Sequence, residues 1–188
     1  MQKLKIIEDP EDSFWLNIMW EEDLWKKIYK PLFMRKLRSL FSAENLQEVE
    51  QLFLELEEKT AKSFAVRSLS KKAMLSVELL KKLREKGISE ESAQKTLVFC
   101  RKIGAIQDKE LLESRVASEL RKGHGLRYIQ AKWKVEVNSV DHQKAEIEAA
   151  ITLLHKKGKK QKNLYLFLQR RGFGAETIRE ALRNFLSS

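Results

Sequence analysis

Apolar residues along the last two thirds of the chain fall into short amphipathic segments, each ending in a basic pair and a break. The clearest repetition compares residues 116–123 (VASELRKG) with residues 151–158 (ITLLHKKG), which lie 35 positions apart. A weaker copy lies earlier and aligns Lys71 and Lys72 with Arg121 and Lys122. Self-similarity of this kind indicates stacked helical units, because no single unit can bury its apolar face alone.

From about Thr60 onward, the apolar spacing is helical and polar residues mark the helix starts. Ser89 precedes two glutamates, which favour the positive end of a helix dipole. Ser76 and Asp108 are expected to cap two further helices. Four glycines are expected to end helices in the left-handed conformation: Gly87, Gly104, Gly123 and Gly172.

Two places depart from this regular pattern. Val137 stands where the other units have glycine, so a helix end is expected there or at the adjacent Asn138. Residues 140–157 are too few for two well-separated helices. They are predicted to form one long helix, or a short helix that runs into the next.

The N-terminal part of the chain predicts mixed structure. Residues 4–7 and 13–19 are expected to form partner strands, and residues 20–29 a third strand or irregular chain. Pro31 suits the first turn of a helix that extends to Leu40, and Ser42 is expected to cap the helix after it. Three tryptophans in this part predict core packing, with a base-stacking platform as the alternative: Trp15, Trp20 and Trp25.

These patterns predict a mainly α fold of tandem three-helix repeats that form an elongated curved array, preceded by a small N-terminal α+β extension. The expected divisions are a strand and helix module over residues 1–59 and repeats over residues 60–107, 108–144 and 145–188.

Charge is distributed unevenly in a chain whose net charge is +10. Residues 1–60 hold 9 Lys and Arg against 13 Asp and Glu, so the entire surplus of positive charge lies in residues 61–188. A surplus of this size favours a polyanion or an acidic protein surface as partner. The alternative is that the cations keep a helical domain soluble.

No apolar run is long enough to span a membrane, and the acidic residues near the N-terminus are not typical of a signal peptide. The one cysteine, Cys100, stands in an apolar stretch and is predicted to be a core residue rather than a reactive thiol. A cytoplasmic location is therefore expected.

Four segments resemble the RecX family of regulators of the recombinase RecA. They are residues 65–70 (AVRSLS), 76–88 (SVELLKKLREKGI), 121–129 (RKGHGLRYI) and 170–173 (RRGF). The family pattern is three tandem three-helix repeats, which corresponds to residues 61–188. Leu126, where family members usually have proline, and Val137, where they usually have glycine, indicate a divergent member.

The resemblance implies a non-enzymatic protein that binds the RecA–single-stranded DNA filament within its groove, inhibits ATP hydrolysis and strand exchange, and so modulates recombination, DNA repair and the SOS response. A monomer without cofactors is expected. A curved array of units could follow such a groove and present basic residues at intervals along it. The predicted contact residues are Lys71, Lys72, Arg121, Lys122, Arg127, Lys132, Lys134, Lys156, Lys157, Lys159, Lys160, Lys162, Arg170 and Arg171.

A basic pair at a helix end also stabilises the negative end of the helix dipole, so part of this set has a structural interpretation. The cluster of Lys159, Lys160 and Lys162 lies around a helix start, where cations are disfavoured. It is therefore the first candidate for a contact site.

The sequence gives no indication of an enzyme or a metal site. The three histidines lack the spacing of metal ligands, and neither a glycine-rich phosphate loop nor a nucleophile with a base is present. Two alternatives to a RecA regulator remain. One is direct nucleic-acid binding through a basic helix, and the other is a scaffold without a polyanionic partner.

Overall fold

The computed structural model describes residues 3–157 and 161–187 and divides into two compact units. Unit 1 comprises Met1–Asp108 and unit 2 comprises Lys109–Ser188. Lys159 and Lys160, which the sequence proposes as contact residues, lie outside the described residues.

Unit 1 begins with an antiparallel sheet of three strands in the order β1-β2-β3. The pairing sets Ile6 opposite Ile18 and Leu16 opposite Ile28, so alternate apolar residues share the face that packs on the helices. The two predicted partner strands are confirmed, and the open alternative for residues 20–29 resolves as a strand. The strands are β1 (Leu4–Glu8), β2 (Trp15–Trp20) and β3 (Asp23–Tyr29).

The single helix predicted around Pro31 is interrupted. Helix α1 (Lys30–Phe33) has the proline in its first turn, as expected, and a separate 3-10 helix (Leu37–Ser42) follows. The prediction that Ser42 caps the next helix is wrong. The Asn45 side chain accepts the backbone N–H of Glu48 at 3.0 Å, and the Glu48 carboxylate accepts the N–H of Glu44 at 2.8 Å.

Helices α2 (Leu46–Lys71), α3 (Ser76–Arg84) and α4 (Glu90–Lys102) complete unit 1. Helix α2 is continuous over 26 residues and runs through position 59/60, where the sequence places a domain boundary. The sheet and the three helices share one core, which includes Ile28, Phe53 and Leu83. The N-terminal extension and the first repeat are therefore packed as one body.

Cys100 belongs to the same core and has no exposed surface, as predicted. Burial raises the pKa of its thiol, which disfavours the reactive thiolate. Trp20 and Trp25 are partly buried against this core, which supports the packing interpretation of these residues.

Unit 2 contains most of α5 (Asp108–Arg121) and all of α6 (Leu126–Trp133), α7 (Ser139–Lys157), α8 (Leu164–Arg170) and α9 (Ala175–Leu186). Helices α5 and α6 enclose a small core with Ile129 at its centre, and α7, α8 and α9 enclose another around Leu154 and Leu168. Ala149 of α7 packs against both cores. The one long helix expected in this region is thus shared between two repeats, and it runs through the predicted 144/145 boundary.

Helix α6 ends earlier than predicted. It stops at Trp133, and Lys134 adopts the left-handed conformation with φ 53°. The helix therefore ends before both expected positions, Val137 and Asn138, and Val137 is instead buried in the α5–α6 core. The side chain at this position is used in the core, whereas the corresponding Gly87 and Gly172 have a positive φ, which favours glycine.

The four glycines predicted to end helices all have positive φ, between 68° and 84°. With mostly helical structure and one small N-terminal sheet, the mainly α class with an α+β extension is confirmed. None of the helices in the described ranges combines the length and apolar character needed to cross a bilayer.

Candidate binding surface

Buried carboxylates fix the helix starts that determine where the basic residues lie. Glu57 of α2 is fully buried and accepts hydrogen bonds from the Ser89 hydroxyl and, at 2.7 Å, the Ser92 hydroxyl. Ser89 also caps α4, as predicted, by accepting the N–H of Ser92. Glu57 therefore locks α2 to the start of α4.

Asp108 and Ser76 act differently from the sequence expectation. Asp108, the first residue of α5, accepts the backbone N–H of Ser76 at 2.7 Å and also the Ser76 hydroxyl. Ser76 is the first residue of α3, and Leu75 occupies the cap position. The Ser76 hydroxyl therefore does not cap α3 but binds the start of α5. Burial opposes ionisation of Asp108, but the bonds from Ser76 and Arg101 outweigh it and lower the pKa of the carboxyl.

In unit 2, a single carboxylate, Glu146, accepts both a backbone N–H and a hydroxyl from the starts of two helices. Glu146 of α7 is 5% exposed and accepts the N–H of Leu126, at the start of α6, at 2.7 Å. It also accepts the hydroxyl of Thr177, at the start of α9, at 2.6 Å. A proline at position 126 would lack the donor that Glu146 uses, so this departure from the usual family residue has a local structural reason.

The ends of α5 and α7 bring two of the predicted basic pairs to one cavity. The cavity has a volume of about 650 Å³. Small and apolar residues, among them Ala117, Leu120 and Leu153, line it together with four cations and one carboxylate, Glu148. The four cations are Arg121, Lys122, Lys156 and Lys157, and we call this feature the α5–α7 cavity.

The close approach of these helix ends depends on Gly123. A Cβ atom at this residue would lie 2.9 Å from Cδ1 of Leu153, so the turn after α5 lies directly against α7. The two pairs that are 35 positions apart in sequence thereby become neighbours in space. The sequence indicated the repetition of the pairs but not their shared cavity.

The cations of this cavity differ in how free they are. Arg121, Lys156 and Lys157 are exposed, and none of the three forms an ion pair with another described residue. Lys122 is partly occupied, because its Nζ lies 2.9 Å from Oε1 of Glu119. Both pairs also lie at helix C-termini, where they stabilise the dipole.

Glu119 binds Lys132, another predicted contact residue, as well as Lys122. It is 4% exposed and is bonded by Lys122, by Nδ1 of His124 at 2.7 Å and by Lys132 at 3.1 Å. Burial alone would raise the pKa of Glu119, but these bonds together lower it to about 2. The pKa of Lys132 rises through its bond to Glu119. Lys122 and Lys132 therefore have a structural role in neutralising a buried charge.

A second group of cations forms where α6 meets the turn between α8 and α9. The N–H of Gly125 donates to the carbonyl of Arg171 at 2.8 Å, and the N–H of Arg127 donates to the carbonyl of Gly172 at 3.0 Å. A Cβ atom on Gly125 would overlap the backbone of Gly172. We call this contact the glycine junction; it places Arg127 beside the end of α8, where Arg170 and Arg171 lie.

Arg179 of α9 is a basic residue that the sequence analysis did not single out. It lines, with Arg127 and the carboxylates Glu146 and Glu176, a cavity of about 570 Å³ at the starts of α6 and α9. Its only sequence signal is that it lies on the polar face of the amphipathic helix α9.

The remaining predicted residues are not among those that line the two cavities of unit 2. Lys71 and Lys72 are exposed at the end of α2 in unit 1, and Lys134 and Lys162 are exposed outside the helices of unit 2. These four do not line the α5–α7 cavity. Within the described ranges, no group of His, Cys, Asp or Glu is placed to hold a metal ion.

Four curated proteins similar to this chain are all described as regulatory protein RecX. A regulatory protein RecX from Vibrio vulnificus is 31% identical over 139 residues, which cover 65% of this chain and 91% of the relative. The chain belongs to the RecX family. A RecX protein from Chlorobium phaeobacteroides is 28% identical over 147 residues, which cover 70% of this chain and 97% of the relative.

Solved structures of RecX share the fold. The crystal structure of RecX from Lactobacillus salivarius has a TM-score of 0.59 at 18% identity and covers 70% of this chain and 98% of its own. Another RecX crystal structure has a TM-score of 0.56 at 16% identity and covers 95% of this chain and 98% of its own. No model of a protein family matches the chain. The resemblance to the RecX family is thus confirmed, and it supports a regulatory role.

Proposed function

We propose that this RecX-family protein is a non-enzymatic regulator that binds the RecA–single-stranded DNA filament and inhibits its ATP hydrolysis and strand exchange. The observation that carries the proposal is the α5–α7 cavity. Two repeat-related basic pairs line it, and three of its four cations lack an ion pair among the described residues. The proposal also places the protein in the cytoplasm as a monomer.

The composition of the cavity suits a partner that is partly protein. Free cations at its rim would attract phosphates or acidic side chains over long range. Its apolar lining would bury a side chain of the partner, which a phosphodiester backbone alone cannot supply. A filament of protein on single-stranded DNA offers both kinds of surface.

The experiment that tests the proposal is a titration of the single-strand-dependent ATPase of RecA with this protein. We expect the rate to fall at amounts of protein well below that of RecA, because one bound regulator can affect many filament subunits. An unchanged rate over a wide range of protein concentration would reject the proposal.

Direct nucleic-acid binding is the second candidate, favoured by the exposed cations Arg127 and Arg179, although Glu146 and Glu176 line the same cavity. Its signature would be binding to DNA in the absence of RecA, with an affinity that falls steeply as salt increases. Absence of binding at low ionic strength would reject this candidate and leave the first one intact.

A further inference from the structure

A cavity in unit 1, of about 710 Å³, lies where the start of β2, helix α1 and helix α2 meet. We call it the N-terminal cavity. Its lining combines four cations, three hydroxyl groups and two phenylalanine rings. The residues concerned are Lys30, Arg35, Lys36 and Arg67; Ser13, Thr60 and Ser63; and Phe14 and Phe64.

Two of the four cations form no ion pair within the described part of the chain. Lys30 is paired with Glu8, and Nζ of Lys36 donates to the hydroxyl of Thr60 at 3.0 Å. Arg35 and Arg67 form no ion pair with any other described residue. The described lining contains no Asp or Glu, so the positive charge of the two guanidinium groups is not compensated inside the cavity.

The cations of the cavity come largely from one basic stretch of the sequence, which the acidic net charge of residues 1–60 does not reveal. Residues 1–60 are acidic as a whole, yet residues 24–43 hold six Lys and Arg and no Asp or Glu. Helix α1 and the turn after it carry three of these cations into the cavity, and α2 supplies Arg67. A cavity lined by cations and by no Asp or Glu thus lies partly within a segment that is acidic as a whole.

The Phe14 ring in the lining is fixed by a neighbouring ring and is also accessible to solvent. Phe14 stacks on Tyr29 with ring centroids 6.5 Å apart and an interplanar angle of 17°, yet the residue is 60% exposed. Met34, also in the lining, is 60% exposed. Apolar surface of this kind beside free guanidinium groups is typical of sites that take a planar ring joined to an anion.

We propose that the N-terminal cavity binds a nucleotide, with its phosphate held by Arg35 and Arg67 and its base packed against Phe14. Arginine donates two hydrogen bonds in a geometry that matches phosphate oxygens, and the hydroxyls of Ser13 and Ser63 are further donors. The volume is within the range of sites for small ligands. The nucleotide is either free or one residue of a single strand.

This inference goes beyond the proposed function, because none of its residues belongs to the proposed filament surface. The test uses the full-length protein and two probes, a fluorescent ATP analogue and a labelled short oligothymidylate, followed by fluorescence anisotropy at low ionic strength. Binding of the free nucleotide alone assigns the site to free nucleotides. Equal or tighter binding of the oligomer assigns it to single strands.

The variant that tests the cations is Arg35→Gln combined with Arg67→Gln. We expect its affinity for the bound probe to fall by at least about tenfold, because two charge-assisted contacts are lost. The matched control is Arg38→Gln combined with Lys59→Gln, which removes the same charge from exposed positions of unit 1 outside the cavity. Equal losses in the two variants would overturn the proposal.

The variant that tests the ring is Phe14→Leu, with Phe41→Leu as its control at another exposed phenylalanine. We expect only Phe14→Leu to weaken binding of either nucleotide probe, by about fivefold or more, because base stacking is lost. If a labelled oligoglutamate peptide binds as tightly as the nucleotides, or if neither nucleotide probe binds, the site is not a nucleotide site. These results do not depend on any effect on RecA, so failure of either proposal is distinguishable.

Discussion

The hydroxyl of Thr177 donates a 2.6 Å hydrogen bond to Oε2 of Glu146, a carboxylate that is only 5% exposed. Ser89 donates in the same way to Glu57 in unit 1. In each unit, a carboxylate on a long helix thus holds the start of a helix that lies about 30 residues further along the chain. This shared polar contact is a structural sign of repetition that the apolar pattern does not reveal.

Replacing Thr177 with valine keeps the shape of the side chain and removes this donor. We expect unit 2 to lose about 1–3 kcal/mol of stability, because a buried acceptor is left with one partner fewer. Amide hydrogen exchange of α9 measures the change. Thr152→Val, at an exposed position of α7, is the control and should have little effect. Equal protection of α9 in both variants would contradict the assigned role of Glu146.

The glycine junction gives a second prediction. At Gly172, φ is 84° and a Cβ atom would lie 2.5 Å from the backbone nitrogen of Tyr128. Gly104 also has positive φ, at 68°, but open space surrounds it. We expect Gly104→Ala to cost about 1–2 kcal/mol from left-handed strain alone, and Gly172→Ala to cost more because backbone must move.

Thermal unfolding of the two alanine variants, followed by circular dichroism, measures this difference. Since the two glycines belong to different units, exchange of the amides around each site should accompany the measurement. A smaller effect at Gly172 than at Gly104 would show that the backbone contact is not tight.

The buried carboxylate of Glu119 predicts a pH dependence. Its pKa is lowered from an ordinary 4.5 to about 2, so its ion pairs stabilise the folded state fully above pH 4.5. This stabilisation is lost as the pH falls from 4.5 toward 2. The Glu119→Gln variant should be less stable than the parent by about 1–3 kcal/mol near neutral pH. The difference between the two proteins should shrink across that acidic interval.

Urea unfolding of both proteins at several pH values measures this prediction. The Glu113→Gln variant, at an exposed position of the same helix, controls for the general effect of removing one negative charge. A difference between parent and Glu119→Gln that stays constant with pH would mean that the ion pairs do not form in solution.

Charge reversal in the α5–α7 cavity tests the proposed contact surface. Arg121→Glu combined with Lys156→Glu should raise the amount of protein needed to inhibit the RecA ATPase by about tenfold, which corresponds to about 1.4 kcal/mol of binding energy. Both residues are exposed and lack ion pairs with other described residues, so the fold should be retained despite the loss of about 0.3–1 kcal/mol of helix-dipole stabilisation at each site. The control is Lys144→Glu combined with Arg183→Glu, two exposed cations of unit 2 outside this cavity.

An equal loss of inhibition in the cavity variant and the control would attribute the effect to net charge alone. The cluster of Lys159, Lys160 and Lys162 remains a predicted contact site. The charge-reversal variant Lys162→Glu, at an exposed position, tests this cluster in the same RecA ATPase assay.

The amino-acid sequence by itself determined the helical class, the first two strands, the family and the glycine helix ends, but it left the third strand open. These features depend on local rules: apolar period, the conformational freedom of glycine and short motifs. The sequence also placed Cys100 in the core, because a short apolar run in a helix is rarely exposed. The cap of α2 was misplaced at Ser42 because Asn45, three residues later, is an equally good N-cap residue by the same local rule.

The tertiary structure decided which charges are free. Lys132 looks like Arg121 and Lys156 in sequence, but only the fold brings it to Glu119 and buries that carboxylate, which also binds the nearby Lys122. The fold also joined pairs 35 positions apart in one cavity and gathered Arg35 and Arg67 into another. The physical reason is that electrostatic interaction depends on distance and burial in space, and neither quantity is contained in the order of residues along the chain.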